Sequence, residues 1–467
     1  MNRHDFIRIT PGVHSLTKKL ERNSRIDPAL YAEHNVKRGL RDINGQGVVA
    51  GLTNIADIHA YEKVDGKVQP CDGKLYYRGY DVEDLVRGII EDQRFGFEEI
   101  TYLLLTGDLP SASRLGLFQQ EMGRHRTLPD GFVRDIIMEA PANNVMNGLA
   151  RSILTLYTYD ERADDISLPN VMRQCLQLIA SFPMLAAYTY CVYDHYHNGN
   201  SLVLHVPPKN LSQAETLLYM IRPDKSYTEL EARILDLCLI VHADHGGGNN
   251  SAFTTRVVTS TGTDTYSAIA SALCSLKGPR HGGANIKVRH MFEDLKSHVK
   301  DWDSDEEIHR YLDALLDKKA FDHTGLVYGM GHAVYSKSDP RAMVLKDFVY
   351  KLSKEKGRED ECNLYMKFDK IAGEVIAERR KIYKGVSANV DFYSGFVYDM
   401  LNIPEELYTP IFAMARISGW CAHRLEELCQ NSKIIRPAYN GIAPRQEYVK
   451  IADRRDSLFP PVHMRDK

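Results

Sequence analysis

The sequence predicts an all-α protein with a minor β element near its N-terminus. Three observations carry that prediction. Apolar residues recur at helical spacing through most of the chain beyond residue 80, strand-like patterning is confined to residues 47–80, and the sequence has no βαβ alternation, no GxGxxG or Walker loop and no repeat period.

Taken in chain order, the first forty-odd residues are polar, charged and weakly periodic, which predicts a short helix and an extended arm. Val64-Asp65-Gly66-Lys67-Val68 reads as a hairpin, because Asp-Gly supplies the positive φ angles of a two-residue turn. Tyr76, Tyr77 and Tyr80, around Arg78-Gly79, extend the β character. Phe97, Ile100, Leu103 and Leu104 then share a helical face that Gly107 and Pro110 terminate. Ser226 with Glu229 reads as a capping box opening a helix whose face is Leu230, Ile234, Leu237 and Val241, with His242 and His245 at its C-terminal end. Thr265 to Leu276 is rich in Ala and Ser, suits close helix packing, and stops at Gly278-Pro279. A long helical stretch runs from Pro410 to Leu428, where Ile411, Ala415, Gly419 and Ala422 could pack closely on another helix.

Composition narrows the function classes. Of 467 residues, 43% are hydrophobic and 26% charged, the proportions of a globular chain with a sizeable core. The apolar runs are read as short and broken by charge, so no membrane span is expected. A net charge of −3 argues against a general nucleic-acid binder but leaves room for a pocket of arginines around a small anion. Eight cysteines without a CxxC pair read as buried thiols rather than disulfides or a zinc site. The N-terminus lacks the apolar core of a secretory signal, and Asp5 and Glu21 count against a transit peptide, which together point to the cytoplasm.

Three segments place a titratable residue beside glycine or in apolar company. In Lys277-Gly278-Pro279-Arg280-His281-Gly282-Gly283-Ala284-Asn285, glycines let a ligand approach His281, and a following helix would disfavour the imidazolium. Such a histidine can donate a hydrogen bond to a carbonyl becoming an enolate. Gly329-Met330-Gly331-His332 leads to Asp339-Pro340-Arg341-Ala342, a loop suited to the passage of a nucleotide or pantetheine chain. In Asn389-Val390-Asp391-Phe392-Tyr393-Ser394-Gly395, desolvation of Asp391 would raise its basicity, as a general base requires. Seen singly, each also has an ordinary reading: a loop histidine, a tight turn, a helix-capping aspartate.

Together these segments closely resemble the citrate synthase family, from about Tyr77 to Tyr439. The shared motifs run in order: the His-Ala-Asp-His stretch at 242–245, Gly-Pro-x-His-Gly-Gly-Ala-Asn, Gly-x-Gly-His-x-Val-Tyr…Asp-Pro-Arg-Ala, Asn-Val-Asp-Phe-Tyr-Ser-Gly, Phe412-Ala413-Met414-Ala415-Arg416 and Ile435-Arg436-Pro437. The resemblance implies a two-domain helical fold, with a large domain of 1–284 and 396–467 and a small domain of 285–395. It implies condensation of acetyl-CoA with oxaloacetate by a homodimer or a higher assembly, the coenzyme A thioester being a co-substrate, with no metal and no permanently bound cofactor. By the same resemblance, His281 stabilises the enol, His332 protonates the oxaloacetate carbonyl and Asp391 is the base. His245, Arg341 and Arg416 bind oxaloacetate, Arg436 reaches in from a partner subunit, and Leu326, Val327, Gly329 and Gly331 contact coenzyme A.

Two departures stand out. Position 333 is Ala where many bacterial relatives carry Arg, and Leu326-Val327-Tyr328 lacks a proline found in some relatives. Two alternatives stay open: a 2-methylcitrate synthase using propionyl-CoA on the same residues, since one methylene shifts binding by only about 1–3 kcal/mol, and a catalytically silent scaffold. The intact His281, His332 and Asp391 set argues against the second.

Overall fold

The computed structural model describes residues 7–41, 47–65, 67–332, 334–382, 385–430 and 433–454, so Asp5, Gly66 of the predicted turn and Ala333 lie outside the described residues. The chain forms two compact units, Met1–Ala50 with Arg436–Lys467, and Gly51–Ile435.

Among its described residues the terminal unit carries two α-helices where one short helix was expected, α1 (Pro11–Asn23) and α2 (Pro28–Glu33). Each opens on a capping side chain, Thr10 or Asp27, followed by a proline whose missing N–H costs nothing at that position. None of the described residues of this unit is buried.

The main unit begins with a three-stranded antiparallel sheet, β1 (Ala56–Val64), β2 (Lys67–Tyr77) and β3 (Tyr80–Asp81). Val64 pairs with Lys67 across the predicted two-residue turn, and Asp65 has the positive φ of 51° that such a turn needs. Buried Tyr77 ties the sheet to the helices: its hydroxyl donates to the Ile240 carbonyl at 3.0 Å and accepts from the Asp244 amide at 3.3 Å.

Helices build the rest. Those bearing on the site are α3 (Phe97–Thr106), α4 (Leu168–Tyr193), α5 (Glu229–His242), α6 (Asn250–Thr259), α7 (Thr265–Lys277), α8 (Ala284–His298), α9 (Pro340–Lys356), α10 (Val390–Met400) and α11 (Tyr408–Cys429). Every residue of α11 from Tyr408 to Glu427 is buried, and the helix packs against α3, α4, α5, α6 and α7. A helix covered on all sides is a core helix. Gly419 is needed there: a Cβ would lie 2.4 Å from Asp244 Oδ1 and 2.5 Å from the Ala243 carbonyl. The close packing expected of α11 is thus made within the chain, against the end of α5.

Two sequence expectations need correction. The run Leu168–Asn198, of which α4 is the main part, is long and apolar enough to cross a membrane, so not all apolar runs are short; 78% of its most apolar window is buried inside the protein, as in a core helix. The capping box of α5 is Thr228 with Glu231, not Ser226 with Glu229. Ser226 is held instead by the Asp224 carboxylate, through both its amide and its hydroxyl, which leaves the cap to Thr228. The eight cysteines are all free, four of them buried.

Candidate active site

Six of the seven residues expected to bind substrate or do chemistry lie in the main unit, five of them on three supports and His281 on the turn before α8. The first is the end of α5 with its following turn. His242 closes the helix, its ring Nδ1 donating to the Cys238 carbonyl at 2.7 Å, which leaves Nε2 without a partner. Burial pushes its pKa down to about 3. His245 lies three residues beyond the helix end, 6% exposed, its Nε2 also without a hydrogen-bond partner among the described residues. Burial, then the nearby Arg341, hold its pKa well below the usual imidazole value.

The second support is α11. Arg416 is 0% exposed, its Nε donates to the His242 carbonyl at 2.7 Å, and its guanidinium lies 4.7 Å from the centre of the Phe412 ring. Both terminal nitrogens, Nη1 and Nη2, have no hydrogen-bond partner among the described residues. Desolvation lowers its pKa to about 10 even with Asp244 nearby. A buried guanidinium left half-unsatisfied is costly, and an anionic ligand would relieve it.

The third support is a pair of adjoining segments. Gly329 and Gly331 have φ of 79° and 78°, conformations that L side chains avoid. They allow the loop to pair with residues 387–389: the Gly331 amide donates to the Ser387 carbonyl and the Asn389 amide to Gly329, both at 2.8 Å. That pairing brings the His332 loop beside the first turn of α10, where Asp391 sits behind its Asn389 cap. His332 Nδ1 accepts from the amides of Val334 at 3.1 Å and Tyr335 at 3.2 Å, so the ring proton is on Nε2. Its ring centre is 5.1 Å from that of His245.

Arg341, 3% exposed, is held in a bidentate pair with Asp339 at 3.0 and 2.7 Å. Burial opposes its charge, but the Asp339 carboxylate outweighs that and holds its pKa above the ordinary value. Asp339 also accepts from the Val390 amide at 3.3 Å, so one carboxylate joins α9 to α10. Asp391 is half-buried, and its carboxylate has no partner among the described residues. Desolvation raises its pKa to about 6 against the opposing pull of Arg341. A carboxylate at the N-terminus of a helix would ordinarily be more acidic, so burial wins over the dipole here.

His281 is half-buried in the turn before α8, its ring centre 6.5 Å from Phe412. Burial, with the field of Arg416, brings its pKa down to about 4. His281 lies two residues before Gly283, the N-cap of α8. Its Nε2 meets Ser251 Oγ at 3.2 Å, and that hydroxyl also accepts from Trp420 Nε1 at 3.0 Å. Ser251, Trp420 and Asp339 escaped the sequence reading; only Asp339 carried a signal, as the first residue of the Asp-Pro-Arg motif. Of the expected coenzyme contacts, Val327 is buried and Leu326 is exposed. Arg436 belongs to the terminal unit, where it is exposed.

The family model "Citrate synthase, C-terminal domain" matches residues 42–438. The chain is 37% identical over 392 residues to a citrate synthase of Deinococcus radiodurans, covering 83% of this chain and 95% of that one. It is 31% identical over 431 residues to 2-methylcitrate synthase 1 of Corynebacterium glutamicum, covering 91% and 100%. The citrate synthase of Thermoplasma acidophilum, solved with carboxymethyl coenzyme A and oxaloacetate, superposes with a TM-score of 0.71 at 26% identity, covering 89% of this chain and 99% of that one. With its helical fold and its buried His/Arg/Asp cluster, this chain therefore belongs to the citrate synthase family and is a carbon–carbon bond-forming acyltransferase.

Proposed function

We propose that this protein condenses acetyl-CoA with oxaloacetate and hydrolyses the resulting thioester to citrate and coenzyme A. One observation carries the reading: buried Arg416 holds two unsatisfied nitrogens beside the unsatisfied ring nitrogens of His242 and His245, a ready site for a small carboxylate-bearing carbonyl compound. In this mechanism Asp391 takes a methyl proton from the thioester. His281, whose Nε2 meets Ser251 Oγ at 3.2 Å, gives a hydrogen bond to the thioester oxygen as the enol forms. The enol carbon attacks the oxaloacetate carbonyl, to which His332 gives its Nε2 proton. Water then cleaves the thioester, releasing coenzyme A.

The small domain, 285–395, would close on the large one to exclude water, so free and oxaloacetate-bound forms should differ in domain angle. A homodimer belongs to the same reading, and the terminal unit, none of whose described residues is buried, offers exposed surface for it. Arg436 from that unit would bind a substrate carboxylate in the neighbouring subunit. Co-refolding equal amounts of Arg436→Ala and Asp391→Ala then puts one mutant of each kind in about half the dimers, each with one intact site, and about a quarter of wild-type activity returns.

A second reading, 2-methylcitrate synthesis from propionyl-CoA, is favoured by the C. glutamicum relative. Comparing kcat/KM for acetyl-CoA and propionyl-CoA with oxaloacetate decides between them. A preference for acetyl-CoA supports the first reading, and a clear propionyl preference moves the assignment to the second.

A further inference from the structure

We propose that His423 is a positioning residue that holds the Asp244 carboxylate away from Arg416, keeping the terminal nitrogens of Arg416 open for a substrate carboxylate. This rests on the reading that Arg416 binds oxaloacetate. Asp244 is the strongest opposing charge acting on Arg416, and both side chains are fully buried. Opposite charges buried away from water attract more strongly than exposed ones. Yet Arg416 Nη1 and Nη2 make no hydrogen bond, whereas a few residues away in space Asp339 has closed onto Arg341 in a bidentate pair. Something must restrain Asp244.

The restraints are visible. Asp244 Oδ2 accepts from the Gly246 amide at 2.8 Å, and Oδ1 meets His423 Nε2 at 3.1 Å. The other ring nitrogen of His423, Nδ1, lies 2.8 Å from Arg256 Nη2. A guanidinium can only donate, so Nδ1 accepts and the proton on Nε2 is directed at Asp244. Arg256 is itself anchored by the Glu426 carboxylate, by Glu427 at 3.1 Å and by the Thr53 hydroxyl at 3.0 Å, while Glu426 also accepts from the Asn54 amide at 2.7 Å. The ring is thus locked from both sides, seven residues or about two turns along α11 from Arg416. Gly419, between them, leaves Asp244 the room to sit there.

Replacing His423 with Leu removes the donor, and Asp244 is then free to turn onto Arg416 and occupy the substrate's place. The expected result is a rise of about tenfold or more in KM for oxaloacetate, the loss of one charge-assisted contact, with KM for the acyl thioester and kcat at saturation little changed. His423→Gln should restore the wild-type value, since its amide both donates to Asp244 and accepts from Arg256. The double variant His423→Leu/Asp244→Asn should recover most of the oxaloacetate affinity, because an amide cannot neutralise Arg416. A residue that merely supports the fold would show neither rescue. If His423→Leu does not fold, His423→Asn, which reaches only the Arg256 side, takes its place with the same expectation. An unchanged oxaloacetate KM in a folded His423→Leu or His423→Asn variant overturns the proposal. So does a double variant no better than the single one. Calorimetric titration of wild type with oxaloacetate separates the two claims: no binding there defeats the functional reading itself, whereas normal binding with indifferent variants defeats only the tether.

Discussion

Arg341 and Arg416 are both buried arginines of one site, 3% and 0% exposed, but Arg341 has two nitrogens on Asp339 while the terminal nitrogens of Arg416 meet nothing. The same contrast runs through the two halves of the site. On α5 and α11, polar groups are fixed by the core and left unsatisfied. On the 326–341 loop and the first turn of α10, they are satisfied internally: Asp339 by Arg341 and Val390, His332 by backbone amides. The first half leaves its polar groups open and the second pairs its own. Asp391, on the second half, is the exception, held without a partner and with its basicity raised.

The largest effect should come from that exception. Asp391→Asn should lower kcat by about 10³-fold or more, within the range of losses for a general base, while oxaloacetate affinity stays within a few-fold. Solvent exchange of the acetyl methyl protons, followed by NMR, should cease, and exchange at the wild-type rate would make another residue the base.

The arginine contrast itself can be broken next. Arg416→Met should weaken oxaloacetate binding by about 100-fold or more, the cost of removing one charged partner, yet cost less stability than Arg341→Met, because Asp244, the carboxylate nearest in charge to Arg416, keeps its hydrogen bonds to the Gly246 amide and His423. Arg341→Met strands the Asp339 carboxylate in the core and should cost about 3–5 kcal/mol of stability. Urea unfolding of the two variants tests this, and equal losses of stability would erase the distinction.

A smaller effect concerns pH. On the proposed mechanism Asp391 acts as a carboxylate base, and its pKa is raised to about 6, so kcat/KM should climb as pH rises through about 6. His281, lowered to about 4, stays uncharged across that limb. A limb near pH 4 would show that burial does not govern Asp391.

The smallest effect is thermodynamic. The folded-state pKa of Asp391 lies above its ordinary value of 3.8, so ionisation destabilises the native state, a penalty absent below pH 4 and complete above about 6. Asp391→Asn should therefore be more stable than wild type at pH 7, by on the order of 1–2 kcal/mol after allowing for partial exposure, with the gain shrinking toward pH 4. A lower melting temperature at pH 7 would contradict this.

Much of the molecule is legible in the sequence. The Asp-Gly hairpin, the helical main unit and the family motifs around His281, His332 and Asp391 are local signals, set by turn chemistry and apolar spacing. Errors arose where two local signals competed. Ser226/Glu229 and Thr228/Glu231 both fit a capping box, and the Asp224 carboxylate decided between them. The α4 stretch was misjudged because a helix apolar on all sides looks alike whether a core or a bilayer covers it.

The sequence by itself determined which residues could do acid–base chemistry and which family they serve, because those properties reside in residue types at short spacing. Only the tertiary structure decided how those residues are charged and held. Neither the pairing of 329–331 with 387–389, the Ser251–His281 contact nor the route from Thr53 through Arg256 and His423 to Asp244 has a local signature. Their members are 30 to 203 residues apart in sequence wherever separate helices meet, as in His281 with Ser251 and Arg256 with Thr53. Desolvation, the largest influence on Asp391, His245, His281 and Arg416 alike, is a property of everything packed around a group. No stretch of sequence contains it, and it appears only when the helices close around the site.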